Sequence, residues 1–324
     1  MNEGVSLVSL GEIRDAQSRL PRQIVRTPLL LSEDLGEACG FPVWLKPENL
    51  QVTGSYKARA AFTMLNNLPP EQRRRGAAIA SSGNFASAWA YMGRLLGIPT
   101  AVVMQEKTSS LKVEKSCRYG AEVILCPNDF DTRWRTLFAL EPERGIKAIN
   151  TFEDPDVVRG HGTIGLEMVA DLPDVDCVLV PVSSGGLIAG VAMAVKELRP
   201  LARVIGVQPE GSFAVYQSFR EGRPVRIEKV DTICDALIAQ HPGRLPLAHI
   251  QRYVDDVVLV SDLEVKQAIR WLVERSKLVA EAGGAVCVAA LLSGRIQSQG
   301  RTIALVSGGN ILPETLARYL QETA

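Results

Sequence analysis

Cys177-Val-Leu-Val-Pro-Val-Ser-Ser-Gly-Gly-Leu-Ile-Ala-Gly190 is the stretch whose reading decides the fold. Its first six residues form an unbroken apolar run without alternation, the pattern of a strand buried on both faces, and Leu187–Leu198 has helical composition. A buried strand that becomes a helix within four small residues belongs to a parallel sheet with helical crossovers. Glycines in such a turn let the backbone approach a ligand closely, while the helix start presents unpaired N–H groups and the positive end of its dipole. No lysine follows, as it would in a nucleotide P-loop. A monophosphate held by backbone amides therefore suits the turn better than a triphosphate with magnesium. A plain tight connection is the other reading.

The same alternation extends outward along the chain. Strands are expected at Val43–Leu45, Ala77–Ala80, Thr100–Met104, Glu122–Cys126, Ala148–Asn150, Cys177–Val182, Val204–Gln208, Asp256–Val260 and Thr302–Val306. Between them, Phe85–Gly97, Ser110–Gly120, Asp131–Leu140, Thr163–Leu172, Leu187–Leu198, Ser212–Glu221 and Ser261–Leu278 read as helices, many with glycine near the end as a left-handed cap requires. Gly222 to Pro246, with three prolines, reads as an irregular surface excursion.

A chain of 324 residues allows about two domains, and 46% hydrophobic with 22% charged residues is the composition of a soluble globular protein. Thirty-six basic and thirty-six acidic residues cancel, so a nucleic-acid or membrane-surface partner has no electrostatic support; small neutral or zwitterionic ligands fit better. Six scattered cysteines (39, 117, 126, 177, 234, 287) contain no C-x-x-C pair, and His161, His241 and His249 show no ligand spacing. That argues against zinc and a disulfide framework, and for a reducing, cytoplasmic setting. Glu3 and Glu12 occupy the region where an export signal would be basic then apolar, and no apolar run approaches ~18 residues.

Pro47-Glu-Asn-Leu-Gln-Val-Thr-Gly-Ser-Tyr-Lys57 is a polar turn that delivers one lysine between the apolar Val43-Trp-Leu45 and the helical Ala58–Leu65. A lysine beside an aromatic ring, with no carboxylate close in sequence, is placed to lose its proton and to form a Schiff base; by itself it also reads as a solvated lysine. Two more turns end apolar strands. Ser81-Ser-Gly-Asn-Phe-Ala86 offers small hydroxyls at a helix start, a seat for a carboxylate or an ordinary N-cap. Ser307-Gly-Gly-Asn310 follows Thr302–Val306. Gly160-His-Gly-Thr-Ile-Gly165 matches G-x-G-x-x-G, yet it follows the polar Glu153-Asp-Pro-Asp156 and not a hydrophobic strand, so its glycines read as close packing at a helix start. Ligands of open α/β sheets bind beyond the carboxyl ends of the strands, which makes the strand-end turns the candidate site.

Taken in order, these five motifs resemble those of the serine/threonine dehydratase (ammonia-lyase) family, which includes serine racemase, from about Thr27 to Asn310. The resemblance implies fold type II of the pyridoxal 5′-phosphate enzymes, similar to the tryptophan synthase β chain. That fold is α/β, with two open twisted domains, mostly parallel sheets and the cofactor in the cleft between them. We expect residues 1–66 with 156–324 to form the large, cofactor-binding domain and 67–155 the small one. By the same resemblance Lys57 carries the cofactor as a Schiff base and moves the α-proton. Tyr56 stands beside the pyridine ring, where the family usually has phenylalanine. Ser81, Ser82, Gly83 and Asn84 take the substrate carboxylate, with Asn84 also reaching the phenolic oxygen and Ser82 matching the hydroxyl on the face opposite the lysine. Ser183, Ser184, Gly185, Gly186 and Leu187 form the phosphate cup, Ser307 meets the pyridine nitrogen and Ala236 lies near the ring. A homodimer is implied too. A serine hydroxyl cannot hold a pyridinium proton as a carboxylate would, so the ring is a weaker electron sink and expulsion of a β-leaving group is favoured over transamination.

Several residues depart from the family pattern. Ser183 and Ser184 replace two glycines of the usual cup, Phe85 a common histidine, His161 a common glutamine and Ala236 a common glycine. Gln208 and Ala214 stand where members with a divalent-cation site have acidic side chains, so no metal is expected, and no ACT-like regulatory domain is expected after Asn310. The expected activity is deamination of a β-hydroxy-amino acid, L-threonine or L-serine first, to a 2-oxo acid and ammonia. Alternatives are serine racemisation, cysteine synthase-like β-replacement, elimination from a bulkier substrate such as phenylserine or hydroxyaspartate, and a non-catalytic binding protein, which the retained Lys57 disfavours.

Overall fold

The computed structural model describes residues 5–108, 110–298 and 300–323. In chain order the elements are α1 (Leu10–Ser18), β1 (Leu30–Leu31), α2 (Glu33–Cys39), β2 (Val43–Pro47), α3 (Lys57–Asn66), α4 (Pro70–Arg75), β3 (Ala77–Ala80), α5 (Asn84–Leu96), β4 (Thr100–Gln105), α6 (Ser110–Arg118), β5 (Glu122–Cys126), α7 (Phe130–Arg144), β6 (Lys147–Ala148), α8 (Pro155–Asp171), β7 (Cys177–Pro181), α9 (Gly186–Leu198), β8 (Arg203–Pro209), α10 (Ala214–Glu221), α11 (Arg244–Tyr253), β9 (Asp256–Val260), α12 (Asp262–Trp271), α13 (Ala282–Leu292), β10 (Thr302–Val306) and α14 (Pro313–Glu322).

The strands form two sheets, β1-β2-β10-β7-β8-β9 and β5-β4-β3-β6. Neighbours run parallel except β1, a two-residue strand missed in the sequence, which pairs antiparallel with β2. The mixed α/β architecture is the expected one. Thr302 pairs with both Val43 and Cys177, which sets the carboxyl ends of β2, β10 and β7 level. The turns that follow them consequently open side by side. They are tied together where the Tyr56 N–H donates to the Ser307 carbonyl (3.2 Å) and the Gly309 N–H to the Gly54 carbonyl (3.0 Å).

The helices depart from expectation in instructive ways. Gly160–Gly165 lies inside α8 and not at its start: Asp154 caps the helix by accepting from the Asp156 N–H (2.8 Å), and Pro155 opens it. Its glycines do provide close packing. A Cβ on Gly160 would lie 2.6 Å from the Ala60 Cα, one on Gly162 2.5 Å from the Ile13 Cδ1, and one on Gly165 2.8 Å from the Val191 carbonyl oxygen. Residues 222–243 are irregular as expected, but α11 begins at Arg244 because Pro246 sits in its first turn, where a missing N–H costs nothing. α7 runs past Leu140 through Pro142 to Arg144. α12 ends at Trp271 and relaxes into a π-turn over Leu272–Ser276 that closes on Lys277 at φ 56°, so the expected continuous helix to Leu278 is broken.

Beneath the three level turns a cluster of buried charges joins β2, α3 and α8. Arg59 donates to Glu48 (2.9 and 2.8 Å) and to Glu167 (2.7 and 2.9 Å), Lys46 donates to Glu167 (2.8 Å) and to the Thr27 carbonyl (2.7 Å), and the Thr27 hydroxyl donates to Glu48 (2.7 Å). Two cations and two anions cancel, and each has several partners, as fully buried charges require. The cluster fixes the start of α3, and with it Lys57, against the sheet. Gly→Ala at an exposed helix position gains about 1 kcal/mol. At Gly160 and Gly162 overpacking should reverse that sign, for a net loss of roughly 1–3 kcal/mol. Gly160→Ala should be the worse, because it meets backbone. Thermal or denaturant unfolding checks this, and a stabilised variant at either position would contradict the packing.

Candidate active site

The strand-end turns enclose one cavity of about 420 Å³. Its wall holds every residue expected from the sequence: Tyr56, Lys57, Ser81, Ser82, Gly83, Asn84, Ser183, Ser184, Gly185, Gly186, Leu187, Ala236 and Ser307.

Lys57 is the first residue of α3, so the fixed start of that helix aims its amine. Nζ lies 4.6 Å from the centre of the Tyr56 ring and 4.9 Å from that of Phe85, and forms no hydrogen bond or ion pair among the described residues. The two ring faces favour the ammonium. Loss of hydration outweighs them and lowers its pKa to about 8, against an opposing pull from Glu281. A useful fraction of neutral amine is thus present near physiological pH.

In the turn after β3, Ser82 Oγ accepts from the Gln105 N–H (3.3 Å), which leaves its own proton free to donate. Asn84 is held at both ends of its amide. Its Oδ1 accepts from Asn310 Nδ2 (2.8 Å), and its Nδ2 donates to Glu281 (2.5 Å). Asn310 in turn accepts from the Lys115 ammonium (2.8 Å). Glu281 was not singled out in the sequence, although an acid inside the small apolar run Leu278–Leu292 is a signal that could have found it. Burial raises its pKa to about 8, helped by the Asp235 carboxylate and opposed by the Asn84 hydrogen bond, Lys112 and Lys115. At neutral pH it is mostly a neutral acid.

Gly185 has φ 103°, a conformation that only glycine adopts without strain, and the helix α9 starts one residue later. None of Ser183, Ser184 or Gly185 donates a backbone hydrogen bond among the described residues. Ser307 is buried, with Oγ 3.5 Å from the Gly283 carbonyl. Two further wall residues lack the partners their burial calls for. His161 is wholly buried with both ring nitrogens unpartnered, and Arg133 has an unpartnered, buried Nε while its guanidinium lies 5.1 Å from the Phe130 ring and 5.8 Å from that of Trp134. Among the described residues Arg133 forms no ion pair. Nothing in the polar sequence of α7 distinguishes it from its neighbours.

Residues 20–308 match the family described as pyridoxal-phosphate dependent enzyme. The L-threonine ammonia-lyase of Thermotoga maritima is 41% identical over 317 residues, spanning 98% of this chain and 79% of that protein. Among solved structures, maize serine racemase superposes with a TM-score of 0.93 at 31% identity, covering 98% of both chains. The T.th. threonine deaminase gives 0.89 at 36% identity over 94% of this chain and 99% of that one. The wall fits pyridoxal phosphate on its own evidence. It offers an uncompensated amine for the carbonyl, a glycine-opened helix start with free N–H groups for the phosphate, and buried polar atoms that need a partner.

The folded chain keeps a proton on Glu281 up to about pH 8, whereas the unfolded chain loses it near 4.5. Between those values the folded state binds more protons, so stability falls as pH rises through the interval. Glu281→Gln should flatten that decline in the cofactor-free protein. An unchanged pH slope of the melting temperature would contradict the protonated assignment.

Proposed function

The chain belongs to the pyridoxal-phosphate dependent enzyme family, and from that premise we propose that it is an ammonia-lyase expelling the β-hydroxyl of L-threonine or L-serine to give a 2-oxo acid and ammonia. The observation that carries this is an amine with a pKa lowered to about 8, in one cavity with a free serine hydroxyl, a carboxylate seat and a phosphate seat.

When bound at Lys57 the cofactor supplies a carbonyl for the substrate amine and an electron sink for Cα. The chain supplies the rest. Backbone N–H groups of Ser183–Leu187 hold the phosphate, the Tyr56 ring flanks the pyridine, and Ser307 meets its nitrogen with a neutral hydroxyl. Ala236 borders the ring. Ser81–Asn84 hold the substrate carboxylate and so fix the direction of the Cα–H bond. The neutral amine of Lys57 takes the α-proton, and the ammonium so formed, with the Ser82 hydroxyl, is a donor for the oxygen that leaves as water. Separate sheets built from residues 30–47 with 177–306 and from 77–148 support a large domain of residues 1–66 with 156–324 and a small one of 67–155. Exposed Leu30, Leu31 and Leu50 support a homodimer, and the unpaired cysteines a cytoplasmic setting.

Arg133 favours a second substrate. A partly buried guanidinium on the cavity wall, without a carboxylate of its own, would pair with the second carboxylate of hydroxyaspartate. Release of 2-oxo acid and ammonia from serine, threonine, phenylserine and hydroxyaspartate tests both readings. Equal molar release from threonine or serine is expected, and no release from any of the four would overturn the assignment. If hydroxyaspartate is preferred, Arg133→Met should lower its kcat/KM more than about tenfold and spare threonine.

Lys57→Ala should abolish turnover and the absorbance of the bound cofactor together, because only the lysine bonds to it covalently. Ser307→Ala should keep the absorbance and slow the reaction. Cofactor absorbance that survives dialysis of Lys57→Ala would contradict these roles.

A further inference from the structure

We propose that His161 is a cofactor-anchoring residue, donating one ring N–H to the phosphate seated at the start of α9. This rests on the reading of Ser183–Leu187 as the phosphate seat.

The imidazole has no exposure to solvent, and neither ring nitrogen has a hydrogen-bond partner. The Gly186 carbonyl lies close enough to favour ring protonation, but its geometry falls short of a hydrogen bond. A buried donor and acceptor left unmade is costly, and such groups in folded proteins usually find a partner in a ligand or water. The place of this ring decides which ligand. α8 carries it against the first turn of α9, at a contact so close that a Cβ on Gly190 would lie 2.3 Å from the Val158 carbonyl oxygen and one on Gly186 2.8 Å from Val157 Cγ1. Tyr56 packs on the other side with ring centroids 4.7 Å apart, so the ring is fixed. It borders the cavity together with Ser184, Gly185 and Gly186.

The turn after β7 has no lysine or arginine. A phosphate dianion presents three terminal oxygens, each able to accept more than one hydrogen bond, so a donor from a neighbouring helix adds to the backbone amides of the turn. Burial and the positive charges of Lys57 and Arg59 keep the imidazole neutral. A neutral ring still carries one N–H, which is all this role needs.

The test titrates cofactor-free wild type, His161→Leu and His161→Gln with pyridoxal phosphate, pyridoxal and inorganic phosphate. His161→Leu should bind pyridoxal phosphate and inorganic phosphate about tenfold more weakly while holding pyridoxal within about threefold. His161→Gln, which keeps an N–H donor, should recover most of the loss. The cofactor-free leucine variant should melt no lower than wild type, since it removes unpartnered polar atoms. Undiminished phosphate affinity in His161→Leu, or equal loss of pyridoxal, overturns the proposal. A wild type that binds pyridoxal as tightly as pyridoxal phosphate removes the phosphate seat itself, a separate failure. If the leucine variant does not fold, the wild-type holoprotein with 15N-labelled histidine decides. A slowly exchanging ring N–H with pyridoxal phosphate and not with pyridoxal supports the bond, and identical spectra overturn it.

Discussion

An ammonium that loses its hydration shell without gaining a carboxylate gives up its proton more readily, and the surroundings of Lys57 impose that condition. Charged groups nearby in the chain are engaged elsewhere. Arg59 holds Glu48 and Glu167 in the buried cluster, and Lys46 holds Glu167 from the other side. The same cluster clamps the first turn of α3 to β2 and α8, so the amine is both uncompensated and fixed in direction. Breaking such a cluster from one side leaves buried carboxylates unpaired, a cost of about 3–5 kcal/mol. Aim and reactivity of Lys57 thus share one structural cause.

The chain as a whole is neutral, yet its cavity is electropositive. Lys57 and Arg133 face it without ion pairs among the described residues, Asp235 is matched by Lys112 at the rim (2.5 Å), and Glu281 is held largely protonated. The start of α9 adds the positive end of a helix dipole. A ligand with a phosphate and a carboxylate meets complementary charge at both ends. Protonated Glu281 then serves to place Asn84 without adding a negative charge beside the amine.

Much of this was legible in the sequence because it is local. Ala77–Ala80 and Cys177–Pro181 are unbroken apolar runs, and a short glycine or serine motif follows each of them closely, as one follows Thr302–Val306. What was misread depends on packing between distant segments. The glycines of α8 were expected at a helix start, whereas they lie inside it, where Ala60, Ile13 and Val191 pack against them. α13 carries small apolar residues on all faces, with Gly283 and Gly284 near its start, so it has no amphipathic period to recognise. Glu281 reaches Asn84 across 197 residues, and Arg133 becomes notable only when no carboxylate arrives beside it. Hydrophobic patterning announces strands, whereas missing partners become visible only in three dimensions.

The most direct test of this account is the titration of the Lys57 amine itself, followed in the cofactor-free protein through the 13C chemical shift of its ε-carbon, with Lys57→Arg identifying the resonance. A midpoint at about 8 is the result that desolvation without a bonded carboxylate requires. A midpoint at the ordinary value of 10.5 would mean a solvated lysine, and would contradict the amine's role as the base of the proposed elimination.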